Sequence, residues 1–433
     1  MNNLNQERVA VVIISGSAGE LDWVLPILDY LLQNKFEIKV IFLSRHALKS
    51  VQENNMCNEF ITQKTNKIEV IFIGGYFFEK IERIGYLTYR GFLKLEFSKI
   101  PLIKSLFKFY FLFLRFLFIK KLPSEITHFK DNKLIFFNEF PSLRRPRDKW
   151  IKQIFNKSLF FYCPHSPHIY TSDLDKKYLE PDNIDFNKKY FLLLGHPTDY
   201  SEIGLENEMS SPDLEKVFIG HPKYSKQWLN NRKNESEAFR SSFVKRKKAN
   251  ILVVSRGHGS YINEDAQKYY IEATCQVIHE QVKNYNLFVK KHPREKHSYW
   301  DKILEYYPSI KIVEDHVLDI ATKVDFAITF WSSAAMECAN LGVPVVEFYD
   351  PNKHSKQQIF EGDSFTTIYR KLGLVYAAND KKKLIEVVAG LLKKDHSMQL
   401  DRAHHFYNDL MNRSNLWEEK IEEILFKNDL IKS

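Results

Sequence analysis

The sequence predicts an α/β protein of two domains, each a parallel sheet with helices on both faces, meeting at a central cleft. Three observations carry this. Short apolar runs rich in β-branched and aromatic residues recur along the chain, as expected of strands buried on both faces. Polar or glycine-containing turns and helical patterns separate them, which is the alternation that builds parallel sheets. The 433 residues suffice for two full cores, and the polar, charged run from Asn230 to Asn250 reads as the connection between them.

In chain order, Arg8 to Ser15 reads as the first strand, Glu20 to Gln33 as a helix and Glu37 to Leu43 as the second strand, a Rossmann-like start. Gly16 and Gly19 in the turn SGSAGE allow a sharp reversal, although a lone G-x-x-G specifies no ligand. Val70 to Ile73, Lys133 to Phe137, Leu159 to Tyr162, Tyr190 to Leu194 and Val217 to Ile219 are further strands, the last two each closed by Gly-His-Pro. This first domain is expected over 1–235. The second, over 245–400, opens with the strand Ile251 to Ser255, the turn RGHGSYINED and a helix from Ala266 to Lys283. Leu287 to Val289 is its next strand. It stops at Lys290, Lys291 and His292, because Pro293 lacks the N–H that a continuing strand would need. Ile310 to Val313 follows. Phe326 to Thr329 is a strand ending before Ser332 and Ser333, where a helix from Ala334 to Asn340 begins; Gly342 stops it and Val343 to Phe348 forms the next strand. Asp380 to Lys393 and His404 to Lys427 carry amphipathic helical patterns.

Ligands of open α/β sheets bind beyond the carboxyl ends of the strands, so the basic His-Pro turn and the double-serine turn should face one crevice. Free N–H groups at the serine helix, two hydroxyls, two lysines and a histidine together suit a phosphate. Arg256, Gly257 and His258 end the strand Ile251 to Ser255 and face the same crevice, either touching a diphosphate or sugar or forming an ordinary strand–helix turn.

KKHPRE, followed some forty residues later by WSSAAMECANLGVPVVEFYD, resembles the nucleotide-binding half of the GT-B glycosyltransferases. Within them it is similar to the group using cytidine donors, the CDP-glycerol glycerophosphotransferases and the bacterial CMP-sialic acid and CMP-Kdo capsule transferases. The resemblance implies that His292, Ser332 and Ser333 contact the donor phosphate, with Lys290 and Pro293 in the same turn, and that Glu337 approaches the ribose. Retaining members carry a second glutamate eight residues before Glu337; Thr329 stands there, which favours an inverting enzyme. In inverting members the first strand–helix loop holds the acid/base residue, and here it offers Glu20 and, two residues on, Asp22. The residue-level alternative is that Glu20 complements its helix N-terminus. The resemblance also implies that residues 401–433 return onto the first domain. The expected activity is transfer from a CMP- or CDP-linked donor, with a UDP-linked one also compatible, to a surface glycan or glycolipid. Helix and lysines suffice for the leaving phosphate, so no further cofactor or metal is expected. Two alternatives come from other classes: an isomerase like UDP-N-acetylglucosamine 2-epimerase, of the same fold, and a non-catalytic nucleotide-sugar-binding relative.

The net charge of +9 is localised: 14 Lys/Arg against 5 Asp/Glu lie between Lys94 and Lys152, and the remaining chain balances. Within this segment IPLIKSLFKFYFLFLRFLFIKK, read as a helix, gathers Lys104, Lys108 and Arg115 within about 40° of arc, with Phe, Leu and Tyr over most of the rest. A basic stripe beside an aromatic face suits an anionic lipid interface, so residues 101–121 are expected at the inner membrane surface; a core helix with outward lysines is the alternative. Arg144, Arg145 and Arg147 follow a strand end, where they either receive an anionic acceptor, as the charge excess favours, or face water. No nucleic-acid motif accompanies the charge, so no nucleic-acid partner is expected. His165 and His168 lack the second ligand pair of a zinc site, and Asp173-Leu174-Asp175 lies outside the strand context of a metal-binding D-x-D. Cys57, Cys163, Cys275 and Cys338 are far apart and read as buried thiols of a reduced compartment. With no signal-peptide pattern and no spanning run, the expected location is cytoplasmic, peripheral to the membrane.

Overall fold

The computed structural model describes residues 8–73, single positions of a helix between 105 and 120, and 124–129, 133–139, 151–164, 184–196, 213–238, 248–259, 262–292, 295, 299–354, 359–361, 364–393 and 405–432. Two parallel sheets organise it. The first has seven strands, β1 (Val9–Ile14), β2 (Glu37–Phe42), β3 (Ile68–Phe72), β4 (Ile135–Asn138), β5 (Leu159–Tyr162), β6 (Tyr190–Leu194) and β7 (Leu214–Phe218), in the order β3-β2-β1-β4-β5-β6-β7. The second has six, β8 (Ala249–Val254), β9 (Tyr285–Lys290), β10 (Ile310–Ile312), β11 (Phe326–Thr329), β12 (Val345–Phe348) and, after a hairpin of β13 (Ile359–Glu361) and β14 (Ser364–Thr366), β15 (Tyr376–Ala378), in the order β10-β9-β8-β11-β12-β15. The order reverses beside β1 and beside β8, which leaves a crevice at the carboxyl end of each sheet.

The central strands β1, β4, β5 and β6 are apolar on both faces because they carry no polar alternation. Val9, Val11 and Ile13 of β1 join one core cluster, and Ala10, Val12 and Ile14 the cluster on the opposite face. A single larger core encloses the second sheet.

Three expected elements differ from the observed ones, among them the helix expected from His404 to Lys427, which is divided into His405–Asn415 and Trp417–Lys427. The helix expected from Glu20 to Gln33 is broken into Ala18–Asp22 and Leu25–Gln33. Pro26 is the cause, since it has no N–H to give Asp22 and its ring would collide with that residue's carbonyl. The polar run expected as a bare connection is helical in its first part, Lys226–Ala238, and Arg232 within it pairs with Asp319 of the second domain at 2.6 Å.

The last two helices join the halves. Tyr407 and Leu410 of the helix His405–Asn415 pack in the core of the second sheet, whereas Trp417, Ile421, Ile424 and Leu425 of Trp417–Lys427 pack in that of the first. Both Gly-His-Pro turns meet the former helix: His196 Nε2 lies 3.1 Å from Asp409, and the His221 N–H donates to Ser414 Oγ at 2.8 Å. Gly220 makes the second contact possible. Its φ is +68°, and a Cβ there would stand 2.1 Å from the Ser414 nitrogen.

In the aromatic segment, Ser105, Phe109, Leu112, Phe113, Phe116 and Lys120 are helical and exposed. Among the described residues no helix is long and apolar enough to cross a membrane.

Gly220→Ala adds both a strained φ and a backbone collision, so it should lower folding stability by at least ~2 kcal/mol, measured by urea unfolding.

Candidate active site

β9, β8 and β11 are neighbours and all parallel, with Val254 of β8 in register with Lys290 of β9 and with Thr329 of β11. Their carboxyl ends therefore emerge side by side. The histidine turn follows β9, the Arg256 turn follows β8 and the serine turn follows β11, so the two motifs recognised in the sequence open on one crevice with the Arg256 turn between them.

Hydrogen bonds tie these turns together. The Ser255 N–H donates to the Lys290 carbonyl at 2.9 Å. Glu295, three residues past His292, accepts from the His292 N–H at 2.6 Å, from Ser255 Oγ at 2.8 Å and from Gln267 Nε2 at 2.6 Å. Trp300 Nε1 donates to Ser255 Oγ at 2.9 Å, which leaves that hydroxyl's proton for Glu295. Gln267 also donates to the Arg256 carbonyl at 2.9 Å. Its nitrogen thus committed, its Oε1 faces His258 Nδ1 at 3.3 Å and makes that nitrogen the donor. Burial raises the Glu295 pKa despite these donors.

On the other side Arg256 holds the serine turn. Its guanidinium donates to the Trp331 carbonyl at 2.6 Å and lies 4.6 Å from the centre of the Trp331 ring. Trp331 adopts φ +58°, a left-handed conformation costly for a bulky residue. Arg256 and the Tyr349 ring, stacked at 6.0 Å, hold it there. The turn then delivers Ser332 and Ser333, both half-buried, to the start of the helix Ala334–Asn340, and Ser332 Oγ accepts the Ala334 N–H at 3.3 Å. Lys290 reaches sideways to the Glu314 carbonyl at 2.5 Å, and burial lowers its pKa.

Glu337, one turn along the serine helix, faces the first domain. There Lys223, 2% exposed, places its ammonium between Glu337 Oε1 at 2.7 Å and the Asp22 carboxylate. His316 Nε2 lies 3.5 Å from Asp22 Oδ1, and its Nδ1 accepts the Leu318 N–H at 3.2 Å, which assigns the ring proton to Nε2. Trp23 covers the group, 5.5 Å from the Lys223 ammonium and edge-on to His221 at 5.0 Å. Burial alone would raise the Asp22 pKa, but Lys223 and His316 more than reverse this and hold it well below the usual carboxylate range. Asp22, His316 and Glu337 offer ligand atoms within 4.8 Å of one another. The Lys223 ammonium already supplies the positive charge there, so we assign the three to this ion-pair network.

The two carboxylates expected in the first loop have different surroundings. Glu20 turns back on its own loop, accepting the N–H groups of Ser15 at 2.8 Å, Gly16 at 2.5 Å and Ser17 at 3.3 Å. This is the capping arrangement that the sequence left open, and Gly16 is needed for it, since a Cβ there would lie 2.6 Å from the Glu20 carboxylate. Asp22 points to the other domain. Sequence reasoning did not single out Lys223, His316 or Glu295. Lys223 had one signal, its place in the second Gly-His-Pro turn.

Pro293, Arg144, Arg145, Arg147, His165, His168, Asp173, Asp175, Lys104, Lys108 and Arg115 lie outside the described residues. All four cysteines are buried and unpaired in disulfides.

No protein-family model matches the chain, and no curated protein matches it. Solved structures do. The chain is similar to Methanocaldococcus jannaschii UDP-GlcNAc 2-epimerase in complex with UDP-GlcNAc and UDP, with a TM-score of 0.52 and 13% identity over 96% of this chain and 99% of that one. The Neisseria meningitidis UDP-GlcNAc 2-epimerase bound to UDP-GlcNAc gives 0.52 and 12%, over 96% and 100%. The wall teichoic acid polymerase TagF soaked with CDPG gives 0.51 and 11%, over 99% and 90%.

The fold is GT-B. At these identities the likeness establishes that architecture, and the chemistry has to come from the site. For Asp22 the site fixes a pH dependence. A carboxylate with a depressed folded-state pKa contributes stability above its ordinary value of 3.8 and loses it as pH falls towards the folded-state value. The stability advantage of the wild type over Asp22→Asn should therefore be full at pH 6–7 and shrink below about pH 4 in urea unfolding series.

Proposed function

We propose that the chain is an inverting GT-B transferase that moves a glycosyl or glycerophosphate group from a cytidine-nucleotide donor to a surface-glycan or lipid-linked acceptor. The observation that carries the reading is the three-turn crevice, where His292, Arg256, Ser332 and Ser333 come from adjacent strand ends whose turns are linked by hydrogen bonds through Glu295, Gln267 and Trp331. Such a cradle suits the anionic tail of a nucleotide, with Glu337 one helical turn away for the ribose. His258, exposed at the end of β8 with its Nδ1 proton held by Gln267, leaves Nε2 to accept from a sugar hydroxyl. Donor preference for CMP or CDP over UDP rests on the His-Pro and double-serine resemblance alone.

In the proposed step the acceptor hydroxyl oxygen attacks the transferred carbon, or the distal phosphorus of a glycerophosphate donor. The bond from that atom to the leaving phosphate oxygen breaks and its electron pair stays with the nucleotide. The hydroxyl proton passes to a first-domain carboxylate, and charge growing on the phosphate is met by His292, Arg256 and the serine hydroxyls. We assign proton acceptance to Asp22, which faces the cleft, rather than to Glu20, whose oxygens serve its own loop. Its ion pair with Lys223 keeps Asp22 deprotonated.

An epimerase-type isomerase fits the fold equally well. The aromatic segment favours the transferase. Phe109, Leu112, Phe113 and Phe116 follow i, i+3, i+4, i+7 spacing and are 76, 51, 51 and 61% exposed, in the segment carrying the charge excess. That suits an enzyme whose acceptor is anchored in an anionic lipid surface.

Calorimetry with CMP, CDP, UDP and GDP should show cytidine nucleotides bound tightest, and His292→Ala should weaken that binding by about 1.5–3 kcal/mol. Binding of UDP alone would overturn the donor assignment, and an unchanged His292→Ala would remove that residue from the site. The protein should float with vesicles containing anionic lipid, and replacing Phe109, Phe113 and Phe116 by Ser should abolish flotation; equal recovery of both proteins would refute the membrane role.

A further inference from the structure

Lys223 belongs to no motif that led to the crevice, yet it is the most deeply buried ammonium described, 2% exposed between carboxylates of two domains. Its backbone is fixed independently of either partner. It lies in the short 3-10 turn Pro222–Tyr224 directly after His221, whose N–H is held by Ser414 of the helix His405–Asn415. Asp22 ends the first helix of the first domain, and Glu337 lies on the serine helix of the second. Both side chains are about one-tenth exposed. Without the ammonium, closing the cleft would bury two anions against each other, which is prohibitive unless one takes up a proton. His316 does not replace it, because its described ion pair is with Asp22, at 3.5 Å, and its Nδ1 is engaged by the Leu318 N–H.

We propose that Lys223 is a positioning residue whose ammonium is the counter-charge that permits cleft closure, bringing the acceptor-side Asp22 and the ribose-side Glu337 into one arrangement. It occupies Glu337 Oε1 and leaves Oε2 for a ligand. Closure and the orientation of Glu337 thereby become one event. The role assigned to Glu337 rests on the proposed nucleotide site; the role in closure does not.

Small-angle scattering of the ligand-free protein, with CMP calorimetry alongside, tests this with Lys223→Met, Asp22→Asn and the double variant. Lys223→Met should increase the radius of gyration and weaken CMP binding about tenfold or more. Asp22→Asn alone, which keeps the Lys223–Glu337 pair, should leave both near wild type. Added to Lys223→Met it should restore compactness and most of the affinity, because a single buried carboxylate no longer faces another. A purely local packing role would show no such rescue, and unchanged scattering for Lys223→Met overturns the proposal. Amine labelling read by mass spectrometry covers the case in which Lys223→Met fails to fold. Lys223 should be protected in the wild type and become reactive in Asp22→Asn/Glu337→Gln, and labelling of wild-type Lys223 at the rate of surface lysines overturns the proposal equally. A wild type that binds no nucleotide sinks the transferase reading while the scattering comparison still decides the role of Lys223.

Discussion

Parallel pairing is the constraint from which the site follows. When every strand of a sheet runs the same way, every strand-to-helix turn falls at the same end, and whatever polar chemistry those turns carry is gathered there without further design. In the second sheet this brings together residues 255–259, 290–292 with 295, and 330–334, distant in sequence but adjacent because β9, β8 and β11 are neighbours. The rigid part is the sheet, and the chemistry sits at its edge. What the chain adds locally is bracing, with Glu295 joining the histidine turn to Ser255 and Arg256 joining that turn to Trp331.

Strain and buried charge concentrate at this edge, and both are compensated by named partners. Trp331 holds a left-handed backbone because Arg256 grips its carbonyl and its ring while Tyr349 stacks on it. The same economy governs Glu347, fully buried on β12, where burial raises its pKa and Arg370, at 2.6 Å, with the Thr367 hydroxyl keeps the carboxylate bonded. Glu347 and Arg370 belong to one domain and stabilise its interior. Lys223 differs because its two partners belong to different domains, so the same interaction type acts on the relation between the halves. Removing one member of such a group typically costs about 3–5 kcal/mol, largely through the charge left behind. That is comparable to the stability difference between open and closed forms of a two-domain protein, so one side chain suffices to control it.

The strands and the crevice were legible in the sequence because their signals are local. Leu159–Tyr162, Phe326–Thr329 and the helix Ala334–Asn340 appear with the boundaries that apolar runs, capping positions and Gly342 imply. Where a boundary shifted, the cause was a competing local rule, as at Pro26, which broke one helix into two. The interdomain cluster was illegible for a different reason. Lys223, Asp22, His316 and Glu337 come from four separate segments, and nothing in the spacing of an isolated lysine or histidine says that another domain will bury it. Glu295 illustrates an intermediate case, since its proximity to His292 was visible but its three converging donors depend on Gln267 and Ser255, which tertiary structure alone brings near.

Glu20 and Asp22 show how two residues of one kind, two positions apart, acquire opposite uses. On a helical turn a separation of two residues rotates the side chains by about 200°, so they cannot face the same way. Glu20 is turned to the loop that precedes the helix, where its oxygens accept three amide protons. Asp22 is thereby turned outward to the other domain, and the helix ends beside it because Pro26 cannot donate to its carbonyl. The loop-facing carboxylate fixes the direction of the cleft-facing one. Under the proposed transfer reaction, substituting Glu20 would act by releasing the helix start that aims Asp22, so loss of activity on its substitution would not identify it as the base. Asp22 is distinguished from it by its partners, an ammonium and an imidazole across the cleft.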